Sequence, residues 1–299
     1  MNKKIGALCA LLAGCLWGCT GISVRALTAA GLSSFNISFF RSFLAFCLFS
    51  VYLLIFKRTA FRIRLKDLWC FIGTGVVSLA MFNICYFTTI RLTTLAVAAI
   101  LLYTSPVFVL ILSAFFFKEK FTLRKAASVL LVVVGCALVS GILGGIGITP
   151  QTLLFGLGAG LSYALYSIFS RFALSRGYSS ETVSVYTFFF SSLTLLPFSD
   201  LPVAFSALSK GTPIVFLFAL SVVSTLAPYL LYTLSLTVVE NGKAAVLAAT
   251  EPVTAALVGF LFLGDPLPDL PAIFGMLMVL GAILLCNLTF TRRKKDERL

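Results

Sequence analysis

The sequence contains no histidine, and only 11% of its residues are charged. The absence of histidine excludes Ser/His hydrolysis, HExxH metal sites and histidine proton relays. The low charge excludes an ordinary soluble domain, where about a quarter of the residues are charged. A Walker A glycine loop is also missing, which excludes an ATP-driven pump. The eight cysteines show no CxxC spacing. We therefore expect them to pack in the interior, and we expect no metal site and no cofactor.

Long apolar runs dominate what is present, and 60% of the 299 residues are hydrophobic. A membrane-spanning helix needs about 20 apolar residues. We predict an all-α, polytopic integral membrane protein with ten transmembrane helices. The ten apolar runs are 5–24, 34–56, 68–90, 94–117, 123–141, 152–173, 182–199, 213–236, 243–263 and 270–290.

The distribution of basic residues predicts the orientation in the membrane. Of the 23 lysines and arginines, 19 lie in the termini and in the loops after spans two, four, six and eight. Three lie on the opposite side, and Arg41 lies within span two. Because cytoplasmic loops carry the excess of Lys and Arg, we expect a multi-pass protein of the cell membrane with both termini in the cytoplasm. The basic tail at 291–299 fits an anionic lipid surface and not nucleic acid.

The chain repeats itself at an offset of 146 residues. Thr104-Ser105-Pro106-Val107 matches Thr250-Glu251-Pro252-Val253, and Arg25 matches Arg171. We predict a first repeat at 1–141 with spans one to five, an external linker at 142–151 and a second repeat at 152–290. Each repeat carries an odd number of spans, so the second copy is inverted relative to the first. Inverted repeats are typical of secondary transporters.

Several motifs resemble those of EamA-type proteins in the drug/metabolite transporter superfamily. These are Leu16-Trp17-Gly18, Arg41, and the runs from Thr104 to Lys120 and from Glu251 to Asp265. The family pattern has a Gly-Glu pair where this chain has Lys118-Glu119 and Gly264-Asp265. The resemblance implies a ten-helix transporter of small metabolites, often an exporter of amino acids or related compounds.

Ionisable residues within the spans are the sharpest candidates for function. Glu251 falls near the middle of span nine, where an acid costs a few kcal/mol (about 2.5–3.5) to insert. It is a candidate for binding a substrate ammonium group or a coupling proton; the alternative is a protonated acid that bonds a neighbouring helix. Arg41 is a candidate for coupling or for countering a substrate carboxylate. The alternatives are that it snorkels outward or binds helix-end carbonyls. Pro106 and Pro252 each remove one backbone hydrogen bond, so they predict helix breaks at the substrate level; the alternative is a static kink, which membrane helices tolerate.

Aromatic and polar residues recur on matching faces of both repeats and predict an amphipathic binding chamber. The alternative is interface packing, with Tyr and Trp also in the headgroup belts. The candidate substrate-binding residues are Trp17, Asn83, Tyr86, Tyr103, Tyr163, Tyr166, Tyr229, Tyr232 and Glu251. Glu119 and Asp265 precede spans five and ten, and we expect them to stabilise helix N-termini there.

These features favour a secondary transporter that moves a small metabolite by alternating access, with export as the expected direction. The expected partners are the substrate, the lipid bilayer and protons as a coupling ion; a monomer and a homodimer both stay open. The alternative within transport is multidrug efflux of lipophilic cations. From other classes, a lipid-modifying enzyme and a scaffold are alternatives. No convergent pair of carboxylates is present, so we expect no enzyme.

Overall fold

The structure is a computed structural model that describes residues 1–139, 149–209 and 211–287. All regular elements in these ranges are helical. The helices are α1 (Lys3–Gly18), α2 (Thr20–Ala29), α3 (Ser34–Phe56), α4 (Leu68–Ile72), α5 (Met81–Leu92), α6 (Leu95–Leu102), α7 (Ser105–Phe117), α8 (Leu123–Val139), α9 (Pro150–Ser175), α10 (Ser180–Leu195), α11 (Leu201–Leu208), α12 (Thr212–Ser221), α13 (Ala227–Ser235), α14 (Asn241–Ala248), α15 (Thr250–Phe262) and α16 (Leu270–Asn287). Two π-helical segments, Gly73–Ala80 and Val222–Leu226, join α4 to α5 and α12 to α13.

Seven helical stretches in the described part of the chain are long and apolar enough to cross a membrane. They are Lys3–Ala29, Ser34–Phe56, Leu65–Leu92, Val97–Phe117, Pro150–Ser175, Thr212–Ser235 and Asn241–Phe262. An eighth results if Ser180–Phe198 and Leu201–Leu208, which are bent by 106° relative to each other, form one span. The protein is therefore an all-helical, polytopic membrane protein.

The other two predicted spans correspond to α8 and α16. Helix α8 has 17 residues and α16 has 18. Residues 140–148 follow α8 directly, and they lie outside the described residues together with 288–299. Most of the predicted linker at 142–151 and the whole tail at 291–299 thus fall outside the described ranges.

The spans that contain Pro106 and Pro252 are interrupted at equivalent places. Helix α6 ends at Leu102 and α7 begins at Ser105, while α14 ends at Ala248 and α15 begins at Thr250. Pro106 and Pro252 lie in the first turns of α7 and α15, where a missing N–H breaks no intrahelical bond. The two interruptions are 146 residues apart. The same offset relates the two π segments, because residues 222–226 correspond to residues 76–80.

Glycines bring the helices of the two halves into close contact. Helix α1 packs on α13, α14 and α15, and α9 packs on α5, α6 and α7. A Cβ atom on Gly18 would lie 2.7 Å from the carbonyl oxygen of Glu251, and one on Gly160 would lie 2.7 Å from the hydroxyl of Thr104. Gly14 meets Thr250 in the same way. The interrupted spans are therefore held against α1 and α9 at the centre of the bundle.

Candidate central binding site

Aromatic rings from both halves meet at the end of α1. The ring centroid of Trp17 lies 6.1 Å from that of Tyr163, 5.2 Å from Tyr229 and 5.5 Å from Tyr232. Tyr166 stands perpendicular to Tyr229 at 5.0 Å. Edge-to-face contacts of this kind stabilise by about 0.5–1.5 kcal/mol beyond area burial. The rings form a fixed, amphipathic wall in the interior of the bundle.

Three of the four tyrosine hydroxyls of this wall have defined partners. Tyr166 shares a hydrogen bond of 2.6 Å with Thr233, and Tyr232 shares one of 2.8 Å with Ser167. Tyr163 donates to the carboxylate of Glu251 at 3.4 Å. Because an unpartnered buried hydroxyl is costly, these bonds fix the orientation of the rings.

Two small spaces lie beside the rings. The first has a volume of about 10 Å³ and is lined by Trp17, Ser78, Leu79, Phe82, Tyr163, Tyr166, Ser167, Tyr229 and Tyr232. The second, of about 20 Å³, is lined by Tyr103, Ser105, Pro106, Val109, Tyr163, Ser167, Tyr232, Ala245, Ala248, Ala249 and Glu251. Each holds about one water molecule. The centre of the bundle is thus closed in this conformation, and the walls of both spaces share Tyr163, Ser167 and Tyr232.

Glu251 enters the second space from the first turn of α15. The positive end of a helix dipole favours an anionic side chain at this position. The backbone of the same turn packs against Gly18, so the position of the carboxylate depends on the contact between α1 and α15.

Arg41 lies on α3 next to a buried amide. Its Nη2 donates to Oδ1 of Asn83 at 3.4 Å, and its buried Nε has no hydrogen-bond partner among the described residues. Asn83 is itself fixed, because Ser38 donates to its Oδ1 at 2.8 Å and its Nδ2 donates to the Leu79 carbonyl at 2.6 Å. In the described part of the chain, Arg41 forms no ion pair with Glu251. Arg41 lines neither of the two spaces, so this cation lies outside their walls, whereas Glu251 forms part of the wall of the second space.

The structure brings most of the sequence-predicted residues together. Eight of them line the two spaces: Trp17, Tyr103, Pro106, Tyr163, Tyr166, Tyr229, Tyr232 and Glu251. Tyr86 is one layer further out and stacks on Phe82 at 5.5 Å. Asn83 supports Arg41 and does not line either space. Pro252 lies beside Glu251 in the helix but also lines neither space.

Phe82, Ser78 and Ser167 line the site without having been predicted. Ser167 lies four residues after Tyr163 on α9, so helical periodicity already places it on the same face. Phe82 likewise precedes Tyr86 by four residues. In the described residues, no group of three or more Cys, Asp or Glu side chains is arranged to hold a metal ion.

Comparison with known proteins identifies the family. The model of the EamA-like transporter family matches residues 4–141 and again 151–288. The chain belongs to the EamA-like transporter family. It is thus a multi-pass membrane protein of the drug/metabolite transporter superfamily, as its motifs had indicated.

The relatives of this EamA protein are transporters of similar length. It is 25% identical to the uncharacterized transporter YwfM of Bacillus subtilis over 95% of each chain. It is 24% identical to the uncharacterized inner membrane transporter YicL of Salmonella typhimurium, covering 98% of this chain and 99% of the relative. A solved crystal structure superposes with a TM-score of 0.80 at 17% identity, covering 96% of this chain and 97% of the other, which shows a shared fold.

Proposed function

We propose that this EamA protein is a secondary transporter that exports an amino acid or a related small metabolite by alternating access. In this proposal ten helices span the cell membrane as two inverted repeats of five, and α8 and α16 are spans five and ten. The twofold match of the family model supports the repeat. The recurrence of the helix breaks at Tyr103–Thr104 and Ala249 supports it independently.

The observation that carries the substrate class is the separation of Arg41 and Glu251 in the closed centre. Neither forms an ion pair there, although isolated charges in a membrane interior are costly. An amino acid supplies both missing partners, because its carboxylate matches the planar guanidinium fork and its ammonium group matches a carboxylate. The aromatic rings beside them would receive an apolar side chain.

Transport through this site requires the bundle to rearrange. The two spaces of about 10 and 20 Å³ are too small for any amino acid. The substrate enters the centre from the cytoplasm, the two halves rock about it, and the path to the outside opens while the inner path closes.

Glu251 couples this cycle to protons in the proposed mechanism. Protonation removes the charge that binds a substrate ammonium group, so the proton and the substrate compete for one carboxylate. A proton entering from outside would then displace the substrate there and favour the return of the empty carrier. Arg41 keeps its charge throughout and holds the substrate carboxylate.

The test is flux measured with the full-length protein in liposomes, using radiolabelled amino acids, nucleosides, sugars, polyamines and lipophilic cations in turn. We expect saturable, pH-gradient-dependent flux of an amino acid, and loss of the pH dependence in Glu251→Gln. Glu181→Gln is the control, because it removes an acid that lies outside the site and pairs with the exposed Lys57. A Glu251→Gln protein that responds normally to the gradient excludes coupling through this residue.

Multidrug efflux is the second candidate, and the ring cluster around Trp17 favours it because aromatic faces bind lipophilic cations. Arg41 opposes it, since a fixed cation repels such substrates. Ligands that bind only the folded state raise its melting temperature. Small shifts with many lipophilic cations and none with amino acids would replace the amino acid proposal with this one.

A further inference from the structure

Two charged side chains hold the turn between α13 and α14. Glu119 accepts hydrogen bonds from the backbone N–H groups of Asn241 at 2.8 Å and Gly242 at 3.4 Å, at the N-terminus of α14. Arg171 donates to the carbonyls of Leu236 and, at 3.0 Å, Val239 at the end of α13. We call this arrangement of Glu119, Arg171 and residues 236–242 the inner clasp, because the basic-residue distribution puts this end in the cytoplasm.

The Glu119 carboxylate of the inner clasp is shielded from solvent, and a cation balances its charge. The side chain of Glu119 is only 6% exposed. Lys125 lies 3.7 Å from Glu119 and 2.5 Å from Glu240, so a cation accompanies the buried acid. Hydrogen bonds between a carboxylate and helix-terminal N–H groups are among the stronger ones in proteins.

The equivalent residues at the opposite end behave differently. Asp265 and Arg25 are the repeat mates of Glu119 and Arg171, and the turn 90–96 between α5 and α6 is the mate of the clasped turn. Asp265 and Arg25 do not hold that turn. They bind each other through two hydrogen bonds of 2.7 Å, and α6 is capped by its own Thr94.

The difference lies in the partners and not in the backbone that carries the acids. The N–H of Glu119 donates to the Ser113 carbonyl at 3.3 Å, and the N–H of Asp265 donates to its mate, the Gly259 carbonyl, at 3.1 Å. The residues before both acids are left-handed, with φ of 53° at Lys118 and 70° at Gly264. One local structure therefore occurs with two sets of partners.

We propose that the acid and the arginine form a two-position switch at each end of this protein, and that the two ends exchange positions during transport. In the other state Glu119 pairs with Arg171 and releases the α13–α14 turn, while Asp265 and Arg25 clasp the α5–α6 turn. This inference rests on the alternating-access function proposed above. It assigns to Glu119, Arg171, Asp265 and Arg25 a positioning role outside the binding site.

The exchange keeps every charge partnered in both states, which avoids the cost of leaving a charge unpaired. It also reaches the binding site directly. Helix α14 runs from the inner clasp to the break at Ala249, two residues before Glu251. Releasing its N-terminus frees the helix that closes the cytoplasmic side of the site.

The experiment measures distances at both ends in the full-length protein, reconstituted without substrate. Spin labels on genetically encoded ketone side chains leave the eight cysteines in place. One pair of labels replaces Lys120 and Thr237 at the inner end. The other replaces their exposed repeat mates Pro266 and Arg91 at the outer end.

Glu119→Gln is expected to lengthen the inner distance and shorten the outer one. In the present state this substitution removes the buried contact of Glu119 with the α13–α14 turn. In the other state it removes only an exposed pair with Arg171, so the present state is destabilised more and the equilibrium shifts to the other state. Arg171→Met must also lengthen the inner distance and shorten the outer one. This variant carries the test if the Glu119→Gln protein does not fold. Asp265→Asn, which removes the outer clasp of the other state, must leave the inner distance short. Glu181→Gln is the matched control, because Glu181 pairs with the exposed Lys57 and lies outside both turns, and it must leave both distances unchanged.

An inner distance that lengthens without a shorter outer distance overturns the exchange, and so does lengthening of the inner distance in Asp265→Asn. Unchanged distances in folded Glu119→Gln and Arg171→Met proteins overturn it as well. The outcome is independent of the flux assay, because no substrate is used. Reciprocal distance changes without amino acid flux would keep the switch and reject the proposed substrate.

Discussion

The close contacts of Gly160 and Gly18 with the helix breaks predict that an added methyl group destabilises the protein. A Cβ on Gly160 would lie 2.7 Å from the Thr104 hydroxyl and 2.9 Å from the Leu101 carbonyl. On Gly18 it would lie 2.7 Å from the Glu251 carbonyl. Backbone carbonyls cannot move without their helix. We therefore expect an overpacking cost of about 1–3 kcal/mol.

Gly158 provides the matched control on the same helix. A Cβ there meets only the sulfur of Cys85 at 3.4 Å, an ordinary contact. Replacing a helical glycine with alanine otherwise stabilises by about 1 kcal/mol. Gly158→Ala should therefore raise the melting temperature, whereas Gly160→Ala should lower it.

The assay is thermal unfolding in detergent followed by liposome flux for each variant. The Gly160→Ala and Gly18→Ala proteins should lose flux even where they remain folded, because the displaced break carries the wall of the binding site. A Gly160→Ala protein that melts at or above Gly158→Ala would refute the argument that these glycines set the helix spacing.

Two further predictions concern individual residues. Lys118→Gly should raise the melting temperature, because a left-handed backbone at a non-glycine residue costs about 1–2 kcal/mol. A lower melting temperature in this variant would contradict the backbone strain at Lys118. Asp67→Asn should cost about 1.5–3 kcal/mol, because the 5%-exposed residue Asp67 bonds Arg176 at 3.1 Å and Tyr178 at 2.8 Å. Lys57→Gln is the comparison, because Lys57 forms an exposed ion pair with Glu181. An equally large loss of unfolding free energy in Lys57→Gln would refute the argument that burial makes the Asp67 contacts stabilising.

The sequence predicts the all-helical membrane fold well because the signal for a span is local. Twenty apolar residues without charge form a helix in lipid whatever their neighbours are. The offset of 146 residues adds long-range information, since it relates Gly14 with Thr250 to Gly160 with Thr104. These four residues do form two equivalent contacts.

The partners of the charged residues could not be predicted in this way. The position of Glu119 before span five suggested a role at the N-terminus of that helix. The structure instead places its carboxylate on α14, more than 120 positions away. Asn83 was predicted to line the chamber, but it supports Arg41. Both outcomes depend on which helices become neighbours, and one sequence does not contain that information in a readable form.

Glu119 and Asp265 occupy equivalent repeat positions, but we expect their substitution to affect the stability of the protein to different degrees. Glu119 is nearly buried and binds two backbone N–H groups, so Glu119→Gln leaves those donors with a weaker acceptor and should cost about 1.5–3 kcal/mol.

Asp265 is 37% exposed and Arg25 is 55% exposed. The hydrogen bond from Arg25 holds the pKa of the Asp265 carboxyl below its ordinary value. The pair therefore contributes above the carboxyl pKa of the unfolded chain, and it is lost as the pH falls through the lower folded value. Water screens it at neutral pH, so Asp265→Asn should leave the melting temperature nearly unchanged there. Equal losses in the two variants at pH 7 would mean that the outer pair is buried under working conditions and that the two ends do not differ in state.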